Sequence, residues 1–409
     1  MPKGIEVCGE KLVVWRGEEG FSVLRDVCSH RQAPLSEGRV DPLTKCLECP
    51  YHGVQFDGKG ACTKIPQLDE GLAIPKAANV ASFPVLQTGD MLWAQLPVAA
   101  GRDFPTRPDE LFPLLHNVSS FTTRDLPYSL DYLLENFMDP AHIPFAHHSL
   151  QGVRSDGSPI PMMQLESSEQ AIEIAYNDSI RGKPREGVVS FKPPLYYHFR
   201  VKSGPAGLFR IMLLALCVPV RPGWSRIHLA LAPGINLPLP KFILHAMTNR
   251  FLDSDLWVHE QERVGRGYVN SLVPAQSKSA GVGGYVMPTS SDLGVKSFRK
   301  WWDANMKQHP VFGEQPAALI GPISIDEQRD RWATHAVHCV MCRDALRNAK
   351  AMRRLVPVAM LAVLALAQRP LVRLAAVAVA VAAEAVCRIV IRGVLGAERG
   401  ASVSTARIP

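Results

Sequence analysis

The sequence opens without an apolar run of the secretory type and without an Arg- and Ser-rich stretch of the transit type; its first residues are Met1-Pro2-Lys3-Gly4-Ile5-Glu6. Either the chain needs no address or it is a mature or truncated form. A large charge excess is also missing. A net charge of +7 over 409 residues is too weak to argue for nucleic acid. It suits an acidic protein partner, an anionic membrane, or simply an ordinary basic surface. With 47% hydrophobic and 20% charged residues, the composition excludes a disordered chain. No internal repeat is visible, and no low-complexity tract precedes the tail. A secreted disulfide framework is excluded as well. Nine cysteines is an odd number, and Cys28, Cys46, Cys49 and Cys62 cluster in a long chain among histidines. That pattern points to metal or redox chemistry.

The length suggests two or three units. Residues 11–16 and 21–25 read as strands around a Gly17-Glu18-Glu19-Gly20 turn, and residues 53–63 as a hairpin with Asp57-Gly58 at its tip. A proline-rich connector at 97–113 marks a boundary. Helical spacing runs over 129–138, with Leu130, Leu133, Leu134 and Phe137 on one face. Strands of a large sheet are expected at 171–175, 188–191, 211–220 and 227–232, and helices at 240–264 and 297–306. The fold class is α+β: a β-rich unit over 1–100, an antiparallel sheet flanked by helices over 101–350, and a tail over 351–409.

Cys28-Ser29-His30 is followed, after eighteen intervening residues, by Cys49-Pro50-Tyr51-His52. Two thiolates and two imidazoles are what a Rieske [2Fe–2S] centre requires. Cys28 and Cys49 would hold one iron, and His30 and His52 the other. The rival is a Cys₂His₂ zinc site, which uses the same ligand types but usually pairs Cys with Cys and His with His. Cys46 and Cys62 have no partner in the motif and read as small buried apolar residues.

A second constellation is Asn136-x-x-Asp139-x-x-His142-x-x-x-x-His147. Spacings of three place Asn136, Asp139 and His142 on one side of a helical segment, which Pro140 and Pro144 should distort. His142 and His147 would supply two legs of a 2-His-1-carboxylate iron site with open positions for dioxygen and substrate. The third leg must be a distant carboxylate. His148 reads as structural, and His198, His228, His245 and His309 show no ligand pattern.

These motifs and their surroundings, His30-Arg31-Gln32-Ala33-Pro34-Leu35-Ser36 and Pro50-Tyr51-His52-Gly53, resemble the cluster loops of Rieske-type non-haem iron oxygenases. One departure is Val54, where those enzymes commonly carry Trp. Residues 33–40, 55–67 and Glu135-Asn-Phe-Met-Asp-Pro-Ala-His142 are similar to the pheophorbide a oxygenase group, over most of 10–350. The resemblance implies an N-terminal Rieske [2Fe–2S] domain, then a mononuclear-iron catalytic domain. It gives Asp255 as the third iron ligand, on a late helix, with Asp253 as the fallback. It also implies that Asp139 bridges a mononuclear-site His to a cluster His of a neighbouring subunit, hence a homotrimer. Finally it implies a plastid membrane location (thylakoid or inner envelope), reduced ferredoxin as electron donor, and a chlorophyll-derived substrate.

Some members of that group carry a C-x-x-C before membrane helices, as Cys339-Val-Met-Cys342 stands here, proposed as a thiol switch. Such a pair can exchange with a thioredoxin; the plainer alternative is two inert thiols on one helix turn. The tail has apolar runs at about 355–367 and 371–391, read as a membrane hairpin, although thirteen residues is short for a span and the second run holds Arg373, Glu384 and Arg388. The alternative is a soluble helical tail.

Two functions of different classes follow. One is oxidation of a tetrapyrrole by dioxygen, hydroxylating or opening the ring, in a large apolar pocket of the second domain. Related substrates would be chlorophyllide, protochlorophyllide or a phyllobilin. The other is a membrane-tethered redox-sensing or import-linked Rieske protein without turnover. Intact Asp139, His142 and His147 favour the enzyme, since a sensor needs no oxygen-activating site.

Overall fold

Strands β1 (Lys3–Val7), β2 (Glu10–Arg16) and β3 (Phe21–Arg25) pair antiparallel in chain order. Period-two alternation divides their side chains between two cores: Val13, Trp15 and Leu24 face one, Leu12 and Val23 the other. Four short strands, β4 (Arg39–Val40), β5 (Leu47–Glu48), β6 (Gln55–Phe56) and β7 (Cys62–Lys64), make a second sheet. β8 (Ser82–Phe83) returns to β3, and β9 (Val85–Thr88) and β10 (Met91–Ala94) form a hairpin. This computed structural model describes residues 1–89, 91–96, 118, 121–203, 208–231, 239–266, 285–309, 312–313 and 320–396. The proline-rich connector expected at 97–113 lies outside the described residues.

The second unit begins with β11 (Thr122–Leu126) and helix α1 (Leu130–Phe137). Then come β12 (Met162–Ser167), β13 (Ile172–Ile180), β14 (Lys183–Lys192), β15 (Tyr196–Ser203), β16 (Leu208–Arg221) and β17 (Trp224–Leu231). They form one antiparallel seven-stranded sheet in the order β11-β17-β16-β15-β14-β13-β12. β15 escapes sequence reading because Tyr196 and Tyr197 are both buried, on opposite faces, so its alternation is blurred. Helices α2 (Lys241–Asp253), α3 (Val258–Gly265) and α4 (Leu293–Asn305) follow. The single helix expected at 240–264 is therefore two, broken over residues 254–257. At the break Ser254 Oγ donates back to Phe251 O at 2.6 Å, the local bond by which serine competes with the helix ladder.

α1, α3 and α4 are tied by a buried ion network. Arg299 Nη1 lies 2.8 Å from Asp131 and its Nε contacts Glu135, while Arg266 lies 2.8 Å from both Asp131 and Glu262. Both guanidinium groups also cover the Tyr132 ring. Removing one partner strands the opposite charge away from water. Arg299→Ala should therefore cost about 3–5 kcal/mol. Its check is the thermal midpoint, expected to fall by about 6–20 °C.

The first unit docks through its β1 end. Cys8 N–H and Gly9 N–H donate to Pro219 O and Val220 O, each at 2.7 Å, and Glu6 pairs with Arg221. Two long helices end the described chain, α5 (Val340–Leu366) and α6 (Pro370–Leu395). Their base packs on the second unit through Cys342, Leu346, Cys387, Ile391 and Val394, with Phe242. Away from that base, Leu355, Leu361, Leu366, Leu371 and Leu374 are exposed. By length and composition one described helix, α6, can cross a membrane, where two spans were expected. The apolar part of α5, residues 355–367, is about 20 Å long against a hydrocarbon core of about 30 Å. Glu384 of α6 faces its neighbour, pairing with Arg353 of α5 at 3.0 Å.

Candidate active site

The loop after β3 and the turn between β5 and β6 carry the first motif, and they are built alike. Cys28 N–H donates to Ala33 O and Gln32 N–H to Cys28 O; Cys49 N–H donates to Val54 O and Gly53 N–H to Cys49 O. The fifth residue of each loop is left-handed, Gln32 at φ 58° and Gly53 at φ 69°. Glycine supplies that conformation at no steric cost, which accounts for Gly53 after His52. Cys28 and Cys49 lie buried in one core with Val54, while His30 is exposed and His52 half-buried, their rings 4.6 Å apart. Thiols inside and imidazoles outside suit a two-iron cluster with its histidine-held iron toward the surface. Single-ion zinc geometry would gather all four ligand atoms, and these four are not among the sets that converge within 4.8 Å among the described residues. Burial pushes the Cys28 thiol up to about 11, so it takes a metal's charge to make the thiolate that ligation needs.

The second motif sits where α1 ends. Asp139 caps the following turn, accepting from Ala141 N–H at 2.8 Å, and Pro140–His142 is a 3₁₀ turn. His142 Nε2 and His147 Nε2 lie 3.2 Å apart, and Asp255 Oδ2 is 3.3 Å from His147 Nε2. The three ligand atoms converge within 4.8 Å. Asp255 stands on the break between α2 and α3, not on a helix, and the break is what turns it inward. Asp253 lies elsewhere, paired with Arg124 and Arg331 at 2.7 Å each.

Hydrogen bonds orient both rings. Ser254 spends its only proton on Phe251 O, so at 2.8 Å it accepts from His147 Nδ1–H. His142 Nδ1–H donates to Asp139 O. Each Nε2 lone pair therefore points at the other and at a carboxylate, an arrangement that repels unless a cation lies between. Burial, and next the neighbouring His142, push His147 down to about 3, so it stays in the neutral, ligating form. Burial raises Asp255 to about 6. Ser254 has no signature in the sequence because its partner is 107 positions away. Ser254→Ala should weaken iron binding about 10–100-fold, read by chelator competition, with the cluster spectrum unchanged.

A cavity of about 60 Å³ adjoins the triad, walled by Phe137, Tyr197, Phe199 and Phe251. It is far below the roughly 300–1,000 Å³ of small-molecule sites. A wider cleft of about 1690 Å³ lies between the first unit and the large sheet and touches none of the triad.

Residues 1–84 match the model of the Rieske [2Fe–2S] domain, and residues 191–267 that of pheophorbide a oxygenase. Pheophorbide a oxygenase of Oryza sativa subsp. japonica is 30% identical over 84% of this chain and 70% of its own length. The chain belongs to the pheophorbide a oxygenase family. As a member of that family of Rieske non-haem iron oxygenases, it uses a [2Fe–2S] cluster and a mononuclear iron. Flavonoid 8-hydroxylase 2 of Ocimum basilicum is 29% identical over 86% of the chain and 71% of its own length. In fold, this pheophorbide a oxygenase relative is similar to a crystal structure of dicamba monooxygenase bound to dicamba. The TM-score is 0.58 at 20% identity, over 74% of this chain and 92% of that one.

Cys339 and Cys342 are not an isolated pair in this family member. His245 and His335 stand against them, and the four ligand atoms converge within 4.8 Å. The sequence suggests no role for His245, because it precedes the cysteines by 94 residues or more. Hydrogen bonding with Cys342 holds the Cys339 thiol low, against burial, and pushes Cys342 high.

Proposed function

We propose that this oxygenase oxidises a chlorophyll-derived tetrapyrrole with dioxygen, drawing electrons from reduced ferredoxin at a plastid membrane. The observation that carries the reading is the pairing, in one chain, of the two Cys–His loops with the converged His142, His147 and Asp255. The names of the relatives supply the substrate class. When bound, the cluster supplies electrons singly and the mononuclear iron activates dioxygen. The chain's own residues do the rest. Asp139 O and Ser254 Oγ hold the two imidazoles in the ligating tautomer. Phe137, Tyr197, Phe199 and Phe251 line the space beside the triad with aromatic surface. A macrocycle enters only when those walls part.

The electron path in this reading runs between subunits. His30 and Tyr51 are exposed, and Asp139 is partly exposed beside His142, its Oδ2 3.9 Å from His142 Nδ1. A cluster histidine of a second copy can then meet Asp139, which argues for a ring-shaped homotrimer. The +7 charge suits an acidic donor, and the exposed apolar part of α5 and α6 suits a membrane. A second reading, a smaller planar phenolic substrate, is favoured by the 60 Å³ cavity and by the flavonoid 8-hydroxylase relative. The test is ferredoxin-coupled dioxygen uptake with pheophorbide, chlorophyllide, protochlorophyllide and a flavonoid side by side. Uptake with a tetrapyrrole is expected. Uptake with the flavonoid alone selects the second reading, and none with any substrate, at full iron content, leaves the non-catalytic sensor.

A further inference from the structure

We propose that His245, His335, Cys339 and Cys342 form a closed Cys₂His₂ site for one zinc ion, separate from both iron centres. The four come from three elements: His245 from α2, His335 from the turn Trp332–Ala336, and the cysteines from the start of α5. His335 Nε2 lies 3.2 Å from Cys342 Sγ, and His245 Nδ1 lies 3.4 and 3.5 Å from the two sulfurs. Bond lengths of about 2.3 Å to sulfur and 2.0–2.1 Å to nitrogen put S···N edges of a tetrahedron at about 3.5 Å. The observed spacings match. His335 Nδ1–H donates to Thr123 O at 2.6 Å, which fixes the tautomer and presents the Nε2 lone pair to the sulfurs, the usual support for a metal-bound histidine. The turn that carries His335 is π-helical, a rare form that is frequent at functional sites.

One buried and one half-buried thiol with two buried imidazoles suit zinc better than a hard cation. Four protein ligands leave no open position, so the role is structural. Both sulfurs bind as thiolates, any thiol proton going to solvent, and no redox change is involved. The ion would clamp the base of α5 to α2 and to the edge strand β11, where the apolar helices leave the catalytic unit. The pair expected to act as a thiol switch is, by this geometry, half of a metal site. The inference does not rest on the substrate reading.

The test is metal analysis of the full chain, purified in detergent under anaerobic, reducing, zinc-supplemented conditions and passed over a chelating resin. The parent should hold one zinc beside its cluster and mononuclear irons. Cys339→Ser/Cys342→Ser should lose that zinc and keep the iron count. Cobalt replacing zinc in the parent should add thiolate charge-transfer and tetrahedral d–d bands, a readout that stands even if the double variant fails to fold. Absence of zinc and of those bands in the parent, zinc unchanged in a folded double variant, or recovery of Cys339–Cys342 as a disulfide would overturn the site.

Discussion

Asp255→Ala is expected to strip the mononuclear iron while leaving the cluster spectrum intact, and to lower turnover by more than about 100-fold. Two Nε2 lone pairs 3.2 Å apart face this carboxylate in a buried setting. Arg124 and Arg331 are engaged by Asp253, burial outweighs the opposing pull of His142 on Asp255, and Asp255 Oδ1 is buried without a hydrogen-bond partner. An unpaired buried carboxylate beside two acceptor nitrogens makes sense only around a cation. Loss of an outer partner of a metal ligand already costs about 10–100-fold, and loss of the ligand itself should exceed that. The measurement is iron per chain together with the cluster's electron paramagnetic resonance signal. The control is Asp253→Ala, expected to keep the iron and to destabilise the fold by about 3–5 kcal/mol by stranding buried Arg124. If Asp253→Ala lost the iron and Asp255→Ala kept it, the site would have to be redrawn.

Asp139→Asn is expected to keep both metals yet slow reoxidation of the cluster by dioxygen and substrate about 10–100-fold. An asparagine oxygen can still accept from Ala141 N–H, so the turn that aims His142 survives. The bond from His142 Nδ1–H to Asp139 O is to the backbone and is also kept. What disappears is the carboxylate charge that would meet a histidine of a second subunit. Stopped-flow reoxidation of the dithionite-reduced protein reads this directly. An unchanged rate would remove the bridge, and with it the main argument for a trimer.

Candidate ligands that lie close together in the chain are legible from the sequence alone. Cys28 and His30, Cys49 and His52, and His142 and His147 each fall on one loop or turn, where spacing limits what they can do. The strands at 11–16 and 21–25 and the helix at 129–138 are equally plain, because β-formers between turn residues mark the strands and helical spacing of leucines marks the helix. Asp255 is reached only through family resemblance, which places it on a helix, whereas it stands on a helix break. A break in which the backbone changes to i→i−3 bonds over a few residues leaves no periodic trace.

Sequence by itself determined the two-part α+β layout, the cluster loops and the paired histidines, because short-range geometry controls them. Only the tertiary fold decided that Asp255 and not Asp253 faces those histidines, that Ser254 holds His147, and that His245 and His335 meet Cys339 and Cys342. Those residues are brought together by elements far apart in the chain, such as α2 packing on α5 and α6 and the Trp332–Ala336 turn meeting β11, and no spacing along the chain encodes a contact that packing creates.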